Sequence, residues 1–294
     1  TNDDGRRFLS GTFGELSPAT PATNPPTFLV TTEHRRFAEF ADTVRTHRYI
    51  GLCWGPPGVG KTLSARHYAG TDDWARWQHE LTTGAEPGPV PERVRQSRTA
   101  LWTPTVSATT KEVDQALPRA CQQISYAIDY HQHGKVDPFV HTDSAGAGLT
   151  ELLIIDEADR LKTTGLEQVR DYYDRHRLGV ILIGMPGIEK RLARYPQLYS
   201  RVGFVHHYRT LSATEQAFIM ARHWPHLNLA EPSAADDYTT AEAGAAIARI
   251  TGGNFRLINR LLAQIDRILE INQLSVVTSE VVDTARESLV VGTQ

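Results

Sequence analysis

The sequence predicts an α/β protein, in which a parallel sheet covered by helices is followed by a small all-α domain. Short apolar runs such as Leu152–Ile155 and Val180–Ile183 alternate with segments of helical periodicity up to about residue 210. Strands that are apolar on both faces indicate a parallel sheet buried between helices. From Ser212 onward only helical patterns occur, so we expect a second domain there.

The chain is expected to divide into three parts. Residues 1–30 are rich in Thr, Pro, Asn and Gly, which predicts a flexible N-terminal arm. Residues 31–210 form the α/β domain and residues 211–294 form the helical lid domain. Within the α/β domain, the Gly and Pro residues of 71–98 are expected to break regular structure, which indicates an insertion on the surface.

Individual elements follow from periodicity and from capping residues. Ser212 with Glu215, and less closely Ser279 with Asp283, resemble capping boxes at helix starts. The predicted strands are Tyr49–Trp54, Ala100–Val106, Leu152–Ile155, Val180–Ile183 and Phe204–Val205. The predicted helices are Glu33–Thr46, Thr62–Ala69, Lys111–His131, Leu166–Arg177, Thr214–His223, Thr240–Ile250, Phe255–Ile271 and Ser279–Leu289.

The composition is that of an ordinary globular protein, with 40% hydrophobic and 22% charged residues and a formal net charge of -3. This charge argues against wholesale coating of nucleic acid but leaves room for a local basic face. The two cysteines, Cys53 and Cys121, are too few for a disulfide framework. Because no apolar run approaches the ~20 residues of a membrane span and no leader opens the chain, we expect a cytoplasmic protein with no membrane partner.

A glycine-rich loop connects the first predicted strand to the next helix. Its residues are Gly55, Pro56, Pro57, Gly58, Val59, Gly60, Lys61 and Thr62, which match the pattern G-x-x-x-x-G-K-S/T in full. In such a loop, backbone N–H groups and the helix N-terminus cradle phosphates. Lys61 is expected to neutralise β- and γ-phosphate charge, and the Thr62 hydroxyl to bind Mg²⁺. The sequence therefore predicts a nucleotide site with Mg²⁺ as cofactor.

An acidic pair ends the apolar strand Leu152–Ile155. Asp156 is expected beside the metal, and Glu157 is expected to polarise the attacking water as a catalytic residue. A predicted strand and helix lie between the two motifs, so another strand should separate their strands in the sheet, as in NTPases with an in-sheet catalytic glutamate. No Asn-Lys-x-Asp motif for guanine occurs, which favours ATP over GTP.

Two arginines are candidates for the γ-phosphate. Arg256 opens a helix of the lid domain, where a cation could couple the phosphate to lid closure. Arg201 follows the fourth strand and its helix, and it could act in trans on a neighbour's ATP as an arginine finger does. Arg191, Arg194 and Arg209 are alternatives for the trans role.

With these features in place, most of residues 30–290 resembles an AAA+ P-loop ATPase. The runs LIIDEADRLK (153–162), VILIG (180–184) and GNFRLINRLL (253–262) resemble the TnsC/TniB/MuB group of transposition regulators. The last run also resembles the secretion ATPase ExeA and archaeal initiator ATPases. An ExeA-like or signalling ATPase that acts on protein partners without DNA is therefore the alternative function.

The resemblance implies a DNA-binding regulator of transposition, which assembles with ATP into rings or helical filaments on double-stranded DNA. It implies a transposase as partner, with a target-selection protein as a further candidate. It also assigns DNA tracking to Thr109–Lys111 and to residues 133–136, so that Lys111 and Lys135 would contact phosphates without reading the sequence. Ordinary solvated lysines are the alternative at both positions.

One position departs from the family pattern. AAA+ proteins usually end the fourth strand with a polar sensor residue, whereas here Met185 stands near that position. Because a thioether cannot orient a water well, slow hydrolysis that depends on assembly or on DNA is expected. Such an ATPase would act as a switch rather than as a motor.

Overall fold

The computed structural model describes residues 28–83, 88–133, 148–229 and 238–289. A five-stranded parallel sheet with the strand order β2-β3-β4-β1-β5 forms its centre, as the sequence predicts. The strands are β1 (Ile50–Trp54), β2 (Thr99–Trp102), β3 (Leu152–Ile155), β4 (Gly179–Gly184) and β5 (Val202–His207).

Helices surround the sheet and then continue without further strands in the described part of the chain. The sheet is accompanied by α1 (Thr32–His47), α2 (Lys61–Ala69), α3 (Thr71–Thr82), α4 (Glu92–Ser97), α5 (Thr110–His133), α6 (Thr163–His176), α7 (Ile188–Leu192) and α8 (Pro196–Tyr199), with a 3-10 turn at Ala158–Arg160. After β5 follow α9 (Ala213–His223), a 3-10 turn at Pro225–Leu227, α10 (Tyr238–Thr251), α11 (Phe255–Asn272) and α12 (Ser279–Glu287). None of the helices in the described ranges combines the length and apolarity that crossing a membrane requires.

The central strands β3 and β4 are buried along their whole length. Successive side chains of a strand point to opposite faces. On one face, Leu152 and Ile154 pack with Phe37 of α1, and on the other Leu153 and Ile155 pack in a second cluster with residues of α5 and α6. This burial on both faces explains why the strands read as continuous apolar runs.

Region 71–98 contains two helices that the sequence analysis does not predict. Helix α3 precedes the Gly- and Pro-rich stretch and helix α4 follows it. Trp77 and Val94 are buried in the main core cluster, and Trp74 stacks on Trp77 with ring centroids 5.4 Å apart. Gly88, Pro89 and Pro91 lie between these helices and outside regular structure, as expected, and the surface insertion itself stays a prediction.

The helices α9 to α12 share a hydrophobic cluster of their own, which includes Ile247, Leu261 and Val282. The predicted capping box of Ser212 and Glu215 is confirmed at the start of α9. The second predicted box is wrong: Thr278 caps α12, because its hydroxyl accepts the N–H of Val281 at 3.3 Å.

Candidate nucleotide site

The phosphate loop runs from the end of β1 to the start of α2. Gly58 and Gly60 have φ angles of +78° and +110°, which glycine adopts without steric cost. Gly55 is required for another reason, since a Cβ there would lie 2.2 Å from the carbonyl oxygen of Tyr208. The glycines of the motif thus permit both the turn and its close approach to the segment after β5.

Lys61 lies within this loop. Its Nζ donates to the carbonyl oxygens of Gly55, at 2.5 Å, and Pro56, at 2.7 Å. Burial lowers the pKa of the Lys61 ammonium below its ordinary value, with a further lowering contribution from Arg256. Val59 of the loop is buried in the cluster beneath the sheet, which anchors the loop to the core.

Thr62 and Asp156 meet although 94 residues separate them in sequence. The Thr62 hydroxyl donates to Asp156 Oδ2 at 2.7 Å, and Asp156 is only 3% exposed. A hydroxyl and a carboxylate are hard oxygen donors, which Mg²⁺ takes together with water and phosphate oxygens. The two residues predicted as metal ligands are therefore adjacent, and their chemistry fits the ion.

Glu157 occupies a different environment from its neighbour. It adopts left-handed backbone angles, φ +52° and ψ +44°, which are uncommon for residues other than glycine and often mark functional sites. Its side chain is 48% exposed and forms an ion pair with Arg160. Its N–H donates to Asp156 Oδ1 at 2.9 Å, so the backbone turn is tied to the buried carboxylate.

The sheet order explains how the acidic pair and the loop approach each other. Strand β4 lies between β1 and β3, as predicted from the strand and helix that separate the motifs in sequence. Met185 directly follows the last residue of β4; the residue is 40% exposed, and its N–H donates to Asp159 Oδ2 at 2.7 Å. At this position the backbone of Met185, and not its side chain, makes the polar contact.

The start of α11 contacts the phosphate loop directly. The N–H of Arg256 donates to the Gly58 carbonyl at 3.0 Å, and Asn254 Nδ2 donates to the Pro57 carbonyl at 2.8 Å. Asn254 also caps α11 by accepting the N–H of Leu257 at 3.2 Å. Sequence reasoning found Arg256 but missed Asn254, although an asparagine before an apolar helix is a recognisable capping signal.

Arg201 lies at the amino-terminal ends of the strands, whereas the phosphate loop lies at their carboxyl ends. Its carbonyl accepts the N–H of Ile50, the first residue of β1, at 3.1 Å, whereas the phosphate loop follows the last residue of that strand. Its guanidinium binds both carboxylate oxygens of Asp174, at 2.6 and 2.8 Å. These hydrogen bonds, assisted by Arg170, hold the pKa of Asp174 below its ordinary value. Arg201 is thus remote from the nucleotide site of its own chain.

The alternatives to Arg201 differ in their surroundings. Arg191 donates to the carbonyl oxygens of Asp159, at 2.8 Å, and Leu161, so it stabilises the turn after β3. Arg194 is exposed, and Arg209 is exposed with its backbone N–H bound to Glu33. Of these three arginines, Arg191 is the one whose guanidinium is seen to bind backbone carbonyl oxygens of its own chain within the described residues.

Of the two predicted DNA-binding lysines, Lys111 is exposed on the first turn of α5, and Lys135 lies outside the described residues. The Thr110 hydroxyl donates to the Thr164 hydroxyl at 3.1 Å, which brings the starts of α5 and α6 together. Lys162, directly before α6, is also exposed and was missed. Its proximity to Lys111 depends on the packing of two helices and leaves no local signal in the sequence.

A buried chain of hydrogen bonds lies behind the loop. The Tyr208 hydroxyl is 2.7 Å from Ser64 Oγ, which is 3.0 Å from His34 Nδ1. Burial, with smaller contributions from His67 and Arg93, lowers the pKa of His34 to about 4, so its ring is neutral at pH 7. The chain of contacts joins α1, α2 and the segment after β5 beneath the phosphate loop.

A phosphate loop, an acidic pair two strands away and helices docked on the loop define a P-loop ATPase of the AAA class. Residues 44–192 match the family described as "AAA domain", and the chain belongs to this family. It is 41% identical over 274 residues to a Staphylococcus aureus protein described as "Potential ATP-binding protein", covering 90% of this chain and 97% of that protein. The chain is therefore an ATP-binding AAA ATPase.

Two solved structures show the same fold. RuvB of Thermotoga maritima, a Holliday junction branch migration motor, is similar with a TM-score of 0.51 and 17% identity over 87% of this chain and 68% of RuvB. The ORC2 protein of Aeropyrum pernix, in its ADP form, is similar with a TM-score of 0.53 and 14% identity over 92% of this chain and 71% of ORC2. At such low identity the similarity concerns the fold alone.

Proposed function

We propose that this ATPase is an ATP-dependent, DNA-binding regulator of DNA transposition, which assembles on double-stranded DNA and recruits and activates a transposase. The observation that carries the DNA-binding role is a basic surface made by Lys111 and Lys162 at the adjoining starts of α5 and α6. In a parallel sheet, the loops that follow β1, β2 and β3 all lie at the carboxyl ends of the strands. The basic surface therefore lies at the same ends of the strands as the nucleotide site.

The chemistry of this surface suits a phosphate backbone. Lysine side chains bind phosphates as point charges, and helix N-termini favour anions. Such contacts provide affinity that is independent of sequence and depends strongly on salt. The transposition role itself comes from the resemblance of residues 153–162, 180–184 and 253–262 to the TnsC/TniB/MuB group. The fold also serves RuvB, a branch migration motor, and is thus compatible with a DNA substrate.

In the proposed reaction, ATP is hydrolysed to ADP and phosphate. Thr62 and Asp156 hold Mg²⁺, which neutralises phosphate charge when bound. Lys61 leaves the carbonyl oxygens of its own loop for the β- and γ-phosphates, and Arg256 approaches them from the lid. Glu157 orients the attacking water. Hydrolysis is slow, because Met185 offers no polar side chain and Glu157 is already engaged by Arg160.

Assembly into a ring or filament would explain how a chain with a net charge of -3 binds DNA. Few basic contacts per subunit suffice when many subunits engage one duplex, because each contact raises the effective concentration of the next. Assembly would also bring Arg201 of one subunit to the nucleotide of its neighbour, which it cannot reach within its own chain. A transposase, with a target-selection protein as a further candidate, would then bind the assembled state.

Duplex binding tests this function. The protein is titrated onto fluorescent duplex DNA with ATP, a non-hydrolysable analogue or ADP, and the complexes are imaged by electron microscopy. The double variant Lys111→Ala/Lys162→Ala should bind about tenfold more weakly or worse, and its slope of log affinity against log salt should fall by about two, since ~0.9 is expected for each lost phosphate contact. Arg175→Ala, which removes an exposed cation at the other end of α6, should change neither quantity.

Two outcomes would contradict the proposal. If wild-type protein forms no ATP-dependent complex with duplex DNA, the DNA-binding role is wrong, and an ExeA-like or signalling ATPase that acts on protein partners becomes the better reading. If complexes form but the lysine variant binds as tightly as wild type, the duplex binds at another surface.

A further inference from the structure

A groove lies between α1, α2 and α4, away from the phosphate loop. Its volume is about 320 Å³, which is within the range of small-molecule sites. Its ionisable lining residues are His34, Asp42 and Arg45 of α1, His67 and Tyr68 of α2, and Arg93 of α4. Because His67 follows Lys61 by six residues, or about 9 Å along α2, the groove is a separate space from the phosphate cradle.

The two arginines of this groove have different surroundings. Arg45 Nη1 donates to the carbonyl oxygens of Gln96 and Ser97, at 2.5 and 3.0 Å. Its Nη2 pairs with Asp42 at 3.0 Å. Arg93 is exposed, and its guanidinium forms no hydrogen bond or ion pair with any residue in the described part of the chain. Arg93 therefore brings a positive charge and free N–H donors to the wall of the groove.

Two neutral histidines lie near Arg93. Burial, with contributions from His67 and Arg93, lowers the pKa of His34 to about 4, and burial together with Arg93 lowers the pKa of His67 to about 4. Both rings are thus neutral at pH 7. An anion bound between Arg93 and His67 would offset the positive potential that acts on both rings.

The carboxylate of the groove does not oppose an anion at this position. Asp42 Oδ1 accepts the Tyr68 hydroxyl at 2.7 Å and pairs with Arg45, so its charge is already matched. It also lies eight residues from His34, or about 12 Å along α1. The part of the groove near His34 therefore combines a free cation with neutral rings.

The hydrogen-bond chain behind the phosphate loop continues to this groove. His34 Nδ1 is 3.0 Å from Ser64 Oγ, and His34 Nε2 is 3.1 Å from His67 Nδ1. A neutral imidazole donates through one nitrogen and accepts through the other, so these contacts share one direction. When the Tyr208 hydroxyl donates to Ser64, His67 Nδ1 is an acceptor and Nε2, the nitrogen outside the chain of contacts, carries the proton. Phe28 stacks on the His67 ring with centroids 3.8 Å apart, which fixes the ring plane.

We infer that this groove is an anion-binding site, in which Arg93 and His67 bind the phosphate or carboxylate group of a small ligand. A guanidinium presents a planar set of donors that matches both groups, and His67 adds one N–H. An anion that accepts from His67 Nε2 also selects the direction of the chain that ends at Tyr208, behind the phosphate loop. The site is additional to the nucleotide site and independent of the proposed role of DNA.

Isothermal titration calorimetry with inorganic phosphate tests this site in the full-length protein. The protein is first saturated with Mg²⁺ and a non-hydrolysable ATP analogue, so that the phosphate loop is filled. Phosphate should then bind with a Kd of about 1 mM or tighter. Arg93→Gln should weaken this binding by about tenfold, because charge-assisted hydrogen bonds are lost. A parallel titration with citrate shows whether the site prefers phosphate or carboxylate.

Arg76→Gln is the matched control, because it removes an exposed cation of α3 and changes the net charge equally. Its phosphate Kd should equal that of wild type. In NMR spectra of protein with ¹⁵N-labelled histidine, the ring resonances of His67, assigned with His67→Gln, should shift when phosphate is added. The same phosphate concentration should shift them in Arg76→Gln but much less in Arg93→Gln. Binding of the ATP analogue verifies that each variant is folded.

Three results would overturn the site. The first is that neither phosphate nor citrate shows saturable binding below about 10 mM. The second is equal phosphate affinity of Arg93→Gln and wild type, and the third is a set of His67 resonances that do not change while phosphate binds. The last two results would place the anion elsewhere on the protein. None of the three bears on duplex binding, which is measured separately.

Discussion

At the scale of single residues, Asp156 and Glu157 show how one peptide bond separates two environments. Asp156 continues the buried strand and reaches the Thr62 hydroxyl at 2.7 Å. Glu157 turns into the left-handed region and leaves the core. The first position suits a group that holds a metal beside the phosphates. The second suits a group that must change partners during a reaction.

Glu157→Gln tests this division of roles. The variant should keep the Kd for ATP within about threefold, because glutamine preserves the size and the turn. Its turnover should fall by about 100-fold or more, since loss of a general base typically costs 10²- to 10⁴-fold. ATP-bound assemblies on DNA should accumulate and persist, which single-turnover assays and electron microscopy would record.

Lys61→Ala is the contrasting variant, because it removes the cation of the phosphate loop and should abolish nucleotide binding and assembly together. A Glu157→Gln enzyme with the full ATPase rate would show that another group orients the water. The Thr62 and Asp156 assignments would survive that result, since they depend on a separate contact.

At the scale of elements, the start of α11 is where the helical part of the chain meets the phosphate loop. Two hydrogen bonds, from Asn254 Nδ2 and from the Arg256 N–H, reach consecutive carbonyl oxygens of the loop. Gly58 permits this approach, because a Cβ there would lie 2.7 Å from Asn254 Oδ1 and 2.9 Å from Arg256 Cβ. A change in the loop when nucleotide binds would therefore be transmitted directly to α11, through the backbone N–H of Arg256 and the side chain of Asn254.

Asn254→Ala separates this coupling from helix capping. The variant should lose ~1 kcal/mol of stability through the missing cap and bind ATP about fivefold more weakly through the missing contact with Pro57. Thr278→Ala removes the cap of α12, which performs the same local role elsewhere. It should lose a similar amount of stability and keep its ATP affinity.

Chemical denaturation and titration with a fluorescent ATP analogue provide the two quantities. Equal ATP affinity for Asn254→Ala and Thr278→Ala would mean that the contact of Asn254 with the loop contributes nothing to nucleotide binding. Loss of affinity in both variants would assign the effect to stability alone.

At the scale of the whole molecule, the position of Arg201 decides whether this residue could act on the nucleotide of its own chain or only on that of a second subunit. The Arg201 carbonyl accepts the N–H of the first residue of β1. The phosphate loop follows the last residue of that strand, about 13 Å away along it. Within one chain its guanidinium is bound by Asp174. A catalytic role for Arg201 therefore requires a second subunit and the exchange of Asp174 for a phosphate.

Mixing two inactive variants tests action between subunits. Arg201→Ala should bind ATP like wild type but hydrolyse it at least tenfold more slowly in the assembled state. Mixed with Glu157→Gln, it should recover activity, because some interfaces then combine an intact Glu157 with a neighbour's intact Arg201. The ATPase rate as a function of the mixing ratio measures this recovery.

A mixture of Lys61→Ala with Glu157→Gln should recover nothing, because each lesion disables the site of the subunit that carries it. Lack of recovery at every ratio of Arg201→Ala to Glu157→Gln would show that Arg201 does not act in trans. The exposed Arg194 would then be the next residue to substitute.

Local chemistry made much of this molecule predictable from sequence. The five strands, the phosphate loop and the Asp156–Glu157 pair were located because burial imposes apolar runs and phosphate binding requires glycines at defined positions. The capping box of Ser212 and Glu215 was equally readable, since its contacts span only three residues. The helices α3 and α4 within residues 71–98 were not predicted, because composition reports where a helix breaks and not whether helices flank the break.

The remaining features depend on packing between distant segments. The contact of Asn254 with Pro57 spans 197 residues, and the pairing of Arg160 with the Pro104 carbonyl spans 56. By itself the sequence determined that the chain is an α/β ATPase with an in-sheet acidic pair, because those motifs are local and chemically constrained. Only the tertiary structure decided that α11 begins on the phosphate loop, that Arg160 pairs with Glu157 and that Arg201 lies at the amino-terminal ends of the strands, because the strand order and the packing of helices bring these residues to their partners.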